Sequence, residues 1–277
     1  MSALLQRVRR LAAYSWEERR RAVWRQFVRP GQRQLPSGLN SNVLRYKWQL
    51  WLARLSASDL YRETEPLVSV LIPTFDRADL LVERALASVL RQTYRRFEVV
   101  IVGDACTDHT RTSLERLGDR RVRFHNLSSR GRYPEDPYHC WLVAGSIPAN
   151  KALTLARGRW VASLDDDDEF SDDHIDVLLS ACLRRKLEFA YGIMDSEVGP
   201  NVWKPIGSYP PELGRICNSS VLYGSHLRFF KYDVGCWRDN EPNDWNLWKR
   251  MWGSGVRMGF VDRVVGRHFL EHRPAGR

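Results

Sequence analysis

From residue 67 onward, short apolar runs rich in β-branched residues alternate with longer segments whose apolar positions recur every three or four residues. Residues 122–125 predict a further strand, and residues 67–72, 97–102 and 160–164 are runs of the first kind. They are too short for helices and too continuous for half-exposed strands, so they predict strands buried on both faces. Residues 77–92, with Leu80, Leu81, Ala85 and Val89 on one face, predict a helix. Helices are also expected from Thr107 to about Leu117 and over residues 150–157. Such alternation predicts an α/β fold, Rossmann-like, with a mainly parallel central sheet flanked by helices and joined by right-handed crossovers. Ligands of parallel sheets sit at the carboxyl ends of the strands. Three strands here run into Pro73-Thr74, Gly103-Asp104 and Asp165-Asp166-Asp167-Asp168, and so predict one shared crevice.

The first sixty residues follow another pattern. Leu4, Val8 and Leu11 fall on one helical face, and Ser15-Trp16-Glu17-Glu18 matches a capping box for a second helix ending at Pro30-Gly31. That helix carries Arg19, Arg20, Arg21, Arg25 and Arg29 beside Trp24 and Phe27. Leu44, Trp48, Trp51 and Leu55 trace a third amphipathic helix. Such helices can lie on an anionic membrane surface or dock on a partner; the plainer expectation is that they pack on the main domain and turn their arginines to water. The division expected is a basic helical extension over residues 1–62 and a main domain over 63–277. The nucleotide-binding half of that domain would cover about 67–170, and the acceptor half about 171–277.

Charge sharpens this division. The net charge is +10, yet residues 1–66 hold 13 Lys/Arg against 5 Asp/Glu and the rest 30 against 28. No recognised nucleic-acid motif accompanies the basic segment, so nucleic acid is not an expected partner. Five scattered cysteines form no CxxC pair, which argues against zinc or redox chemistry and suits reduced thiols. No run approaches 18 apolar residues, and Arg7, Arg9 and Arg10 interrupt the N-terminus before it could serve as a secretory signal. The cytoplasm is the expected compartment, with residues 1–60 a candidate contact for the inner face of the membrane.

Four adjacent carboxylates at a strand end repel one another and call for a counter-charge. A hard divalent cation, Mn2+ or Mg2+, supplies it through oxygen ligation and shares its other positions with phosphate oxygens. Strand alternation would pair Asp165 with Asp167 and send Asp166 and Asp168 to the opposite face. The competing reading is a solvated acidic loop preceding a helix that Ser171-Asp172-Asp173 would start near His174.

The ordered set of motifs resembles the family 2 glycosyltransferases of GT-A fold. Val68 through Asp76 (VSVLIPTFD) resembles the opening strand and nucleotide-contacting turn, and Ser88 through Tyr94 (SVLRQTY) the end of the first helix. Val102-Gly103-Asp104-Ala105-Cys106-Thr107-Asp108 stands where the family writes V-D-D-G-S-T-D. Ala156-Arg157-Gly158-Arg159-Trp160 and Ser163 through Asp168 match A-x-G-x-[YW] and L-D-x-D-D. Asn243 through Arg250 resembles the later E-D-x-x-L-W-x-R element.

This resemblance implies an inverting transfer of sugar from a nucleoside-diphosphate sugar to an acceptor hydroxyl. It implies that Pro73, Thr74 and Phe75 line base and ribose, that Asp104 accepts a hydrogen bond from the base, and that Asp165, Asp166 and Asn150 belong to the donor site. Asp167 would ligate the metal, joined by a histidine near the C-terminus, His268 or His272. Asp244 would be the general base, its alternative role being a helix N-cap. Departures stand at Gly103, Ala105 and Cys106, and at Ala149-Asn150, where the family writes Arg-Asn. The diphosphate-contacting cation is therefore sought elsewhere, with Arg130 and Arg132 as candidates. Tyr191, Trp203, Tyr209, Tyr223, Phe229, Phe230, Tyr232 and Trp237 make the later half aromatic, as suits either a core or sugar stacking. Residues 231–243 read as a loop able to close over the donor. A reading of a different class is a non-catalytic protein whose basic helices hold a membrane or nucleic acid, because clustered cations bind phosphates whatever the fold.

Overall fold

A computed structural model describes residues 41–270; the helices expected over residues 2–30, and His272, lie outside the described residues. The described chain opens with helix α1 (Ser41–Ser56) and continues as one nine-stranded sheet. Strands β1 (Val68–Thr74), β2 (Phe97–Gly103), β3 (Val122–Asn126) and β4 (Trp160–Ser163) form its parallel half. The other half contains β5 (Glu169–Phe170), β6 (Phe189–Gly199), β7 (Val202–Ile206), β8 (Val221–Gly224) and β9 (Met258–His268). Across the sheet the order is β3-β2-β1-β4-β8-β6-β9-β5, with β7 on β6. Here β8 runs antiparallel to β4 and to β6, while β9 is parallel to β6.

Helices cover both faces, which is why β1 and β2 read as unbroken apolar runs. On one face Val70 and Ile72 meet Leu81, Ala85 and Val89 of α2 (residues 78–90) and Leu178 of α6 (His174–Arg185). On the other, Leu71 and Val100 meet Ala152 and Leu153 of α5 (Ser146–Leu155) and share a cluster with Trp248 of α7 (Asn243–Gly253). Two short helices complete the set, α3 (Thr110–Leu117) and α4 (Pro137–Val143). Sequence reading misses α4, which starts because Pro137 takes a first-turn position and the Asp136 carboxylate accepts the N–H groups of Tyr138 and His139. Helix α5 begins at Ser146 rather than at residue 150.

The orientation of α1 reverses one expectation. The helix is docked by Leu50, which is 1% exposed, by Tyr46, stacked on Phe230 at 4.9 Å, and by Arg54. Arg54 makes a two-pronged ion pair with Glu188, 2.7 Å in each prong. Its apolar stripe of Leu44, Trp48, Trp51 and Leu55 therefore faces outward, not toward the domain. The physical reason is Glu188, which is 1% exposed at the start of β6 and needs a cation more than the core needs further leucines. Burial opposes the charge on Glu188, yet hydrogen bonds from Arg54, His226 and the Arg257 N–H hold its carboxyl well below the usual range. Such a group stabilises the fold fully above its unfolded value near 4.5, and this contribution is lost as pH falls through the lower folded value. Glu188→Gln should cost about 3 kcal/mol at pH 7, as breaking a buried pair does. The gap from wild type in urea unfolding should shrink below about pH 4.5.

Candidate active site

The crevice is built from the loops that follow β1, β2 and β4. Asp76, in the left-handed region at φ 48°, accepts the N–H groups of Thr107 (2.7 Å) and Asp108 (3.2 Å). Asp108 in turn accepts the N–H of Ala78 (2.9 Å), the first residue of α2, and holds Thr110. Each loop thus fastens the next. Asp76, Cys106 and Asp108 bring ligand atoms within 4.8 Å of one another, but both carboxylates are engaged with these backbone donors.

The departures at 103–106 now have causes. A Cβ on Gly103 would lie 2.4 Å from Asn126 Oδ1 and 2.8 Å from Cys106 Sγ. The Asn126 amide fills that space, accepting from the Cys106 N–H and donating to its carbonyl, each at 2.8 Å. Ala105 stands where the family writes glycine and holds φ 61°, a region costly for any residue with a Cβ. Ala105→Gly should therefore raise stability by about 1 kcal/mol, measured by thermal or urea unfolding.

Asp104, 3% exposed, is fastened by its own N–H to Thr74 O and accepts the Gly131 N–H at 2.9 Å. The segment carrying Gly131 also lays the Arg130 guanidinium over the Phe75 ring, 3.9 Å from its centre. Burial, with Asp104 nearby, pushes the Tyr133 hydroxyl far above the phenol range. Phe75, Asp104, Arg130 and Tyr133 thus share one corner. Asn150 has a different engagement. Its amide exchanges two 2.9 Å hydrogen bonds with the Tyr232 backbone and so pins the segment after Phe230 to α5.

The four aspartates do not alternate as a strand would. β4 stops at Ser163, and residues 165–168 turn, the Asp168 N–H donating to Asp165 O at 3.2 Å. The turn sets Asp166 beside Asp167, both receiving Arg77, at 3.0 Å and 3.2 Å. Asp165 and Asp168 instead meet the short helical turn Asn218–Ser220. Asn218 donates to Asp165 Oδ1 at 2.7 Å, and Ser219 Oγ to Asp168 Oδ2 at 2.6 Å. His268, at the end of β9, places Nδ1 2.8 Å from Asp168 Oδ1. Burial first, then the charges of Asp168 and Asp167, raise the Asp165 carboxyl well above its ordinary value.

Asp244 occupies the first turn of α7 behind Pro242, which holds the capping position, so the N-cap alternative fails. Its carboxylate accepts the N–H of Trp245 at 2.7 Å and is also held by the Asn218 backbone. Burial raises it above its ordinary value. Its charge raises Asp165, and His268 lowers its own value, so Asp244, Asp165 and His268 share one electrostatic enclosure. Asn218 joins the parts, its side-chain amide donating to Asp165, its Oδ1 accepting the Tyr232 hydroxyl at 2.8 Å, and its backbone N–H on Asp244. Sequence reading misses Arg77, Asn218 and Ser219. Arg77 follows the opening strand motif directly, but residues 218–220 lie in a stretch with no periodic or motif signal.

An acidic turn at a strand end, on a mixed sheet whose first four strands are parallel, gives the chain the GT-A fold expected from its sequence. By sequence, residues 69–133 match the family described as glycosyl transferase family 2. A putative teichuronic acid biosynthesis glycosyltransferase, TuaG of Bacillus subtilis, is 33% identical over 127 residues, 46% of each chain. The chain spans less than half the length of this and two other such relatives. By structure, S. aureus TarS in complex with UDP-GlcNAc aligns at TM-score 0.57 and 18% identity over 75% of this chain and 59% of that one. Mannosyltransferase PcManGT of Pyrobaculum calidifontis, in complex with GDP-Man and Mn2+, aligns at TM-score 0.55 over 84% of this chain and 68% of that one, at 16% identity. These likenesses establish the fold. Among the described residues no helix is long and apolar enough to cross a membrane.

Proposed function

We propose that the chain is an inverting glycosyltransferase that moves a sugar from a nucleoside-diphosphate sugar to an acceptor hydroxyl in polysaccharide or glycoconjugate synthesis. The observation that carries this reading is the placement of Asp244 beside the acidic turn, joined by Asn218, whose side chain donates to Asp165 and whose backbone N–H holds Asp244. A carboxylate so placed is suited to take the proton of an attacking hydroxyl as the nucleotide leaves. In the same reading Pro73, Thr74 and Phe75 line the base and ribose, Asp104 accepts from the base, and Asp166 lies toward the ribose. Residues 67–170 serve the donor and residues 171–277 the acceptor.

The acidic turn suits a divalent cation. Its donors are hard carboxylate oxygens, and a guanidinium, that of Arg77, already lies between two of them. Asp167, with His268 on the adjacent Asp168, would hold Mn2+ or Mg2+, which would supply charge neutralisation for a diphosphate leaving group. Around that position the chain's own groups orient: Asn218 and Ser219 fix the acids, and the Arg130 guanidinium lies over Phe75. The proposed setting is the cytoplasm, at the inner face of a membrane through residues 1–60.

Calorimetric titration of UDP, GDP and dTDP with and without Mn2+ tests the reading. One of the three should bind at least about tenfold tighter with the metal present. Absence of metal-dependent binding for all three would end it.

A further inference from the structure

Residues 1–56 hold twelve Lys/Arg against two Asp/Glu, whereas residues 57–277 hold 31 against 31. The whole excess charge of the chain thus precedes or lies within α1. That helix has no acidic residue, and Arg45 and Lys47 are exposed on it. Its outer side shows Leu44 (54% exposed), Trp48 (60%), Trp51 (50%), Leu52 (46%) and Leu55 (57%). These are five of the ten large apolar side chains found exposed among the described residues, gathered within twelve positions, so the patch is not the scatter expected of an ordinary surface.

The patch is held rigidly. The inner side of α1 is fixed by Leu50, by Tyr46 on Phe230 and by the Arg54–Glu188 pair, so the helix cannot roll its tryptophans inward without stranding a buried carboxylate. Trp48 and Trp51 stack on each other at 4.9 Å and form a flat aromatic surface. Tryptophan and leucine on one side of a helix, with cations beside them and no acids, match the headgroup boundary of an anionic bilayer. The apolar side chains would enter the acyl region, and Arg45 and Lys47 would meet phosphate. A neutral protein partner would use the leucines but leave the concentrated charge unmatched.

We propose that the outer face of α1, centred on Trp48 and Trp51, docks the protein on an anionic lipid surface. This assignment rests on the membrane-contact reading above and names the surface that makes the contact. Each cation brought near an anionic surface adds to such binding.

Co-sedimentation of the full chain with vesicles of phosphatidylcholine alone, and of phosphatidylcholine with 30% phosphatidylglycerol, tests it. The wild type should bind the anionic vesicles at least about tenfold tighter than the neutral ones, and 0.5 M salt should remove most of the difference. Trp48→Ser with Trp51→Ser should weaken anionic binding about tenfold or more, while Val202→Ser, at an exposed apolar position on β7, should leave it unchanged. Equal vesicle binding by the double variant and the wild type would overturn the proposal, as would no binding by the wild type. Size-exclusion chromatography with light scattering covers the competing occupant. A dimer lost in the double variant, with no vesicle binding, would assign the face to a second copy instead. Nucleotide titration in vesicle-free solution should be the same for both proteins, so failure of lipid docking and failure of the transferase reading give different results.

Discussion

Asp244→Asn should abolish sugar transfer while leaving nucleotide binding within about twofold of wild type, a loss of about a thousandfold in turnover from removing a general base. The Asp244 carboxylate accepts from the Trp245 N–H and the Asn218 backbone, and asparagine can keep one of these through its carbonyl oxygen. Packing around α7 should survive, because Leu247, Trp248 and Met251 carry it. What asparagine lacks is the proton-accepting charge. Burial raises the Asp244 carboxyl above its ordinary value, which strengthens it as a proton acceptor. Single-turnover transfer beside nucleotide calorimetry separates these outcomes. Retained turnover in the variant would remove Asp244 from the base role and leave it a helix-start residue.

The second large effect is expected at the acidic turn. Asp167→Asn should lower metal-dependent nucleotide affinity by at least roughly 100-fold, more than loss of an outer partner of a metal site costs. Arg77→Ala should act in the opposite direction on the metal alone. The guanidinium donates to both Asp166 and Asp167, so a divalent cation has to compete with it. Removing it should tighten Mn2+ binding several-fold without nucleotide. Titration of Mn2+ into both variants reads the contrast. Unchanged Mn2+ affinity in the Arg77 variant would show that the guanidinium does not compete for the acids.

Strands β1, β2 and β4 were readable within one or two residues, because strands buried on both faces must be short, apolar and β-branched. The convergence of Thr74, Asp104 and the acidic turn followed from the same pattern, since parallel strands share an end. Less accessible was the pairing among the four aspartates. Period-two alternation applies only while the strand lasts, and β4 ends at Ser163, so the turn and not the pleat sets Asp166 beside Asp167. Asn218 and Ser219 gave no signal because a polar residue that serves a carboxylate fifty positions away looks like any loop residue.

Helix α1 shows where local pattern stops. The stripe of Leu44, Trp48, Trp51 and Leu55 specifies an amphipathic helix from sequence alone, since it needs only the 3.6-residue repeat. Which side of it faces the protein depends on Glu188, 134 residues from Arg54, whose burial at the start of β6 requires a cation. Periodicity is a local property and was readable. The partner of a buried charge is a property of the folded chain, and here it turned the tryptophans outward.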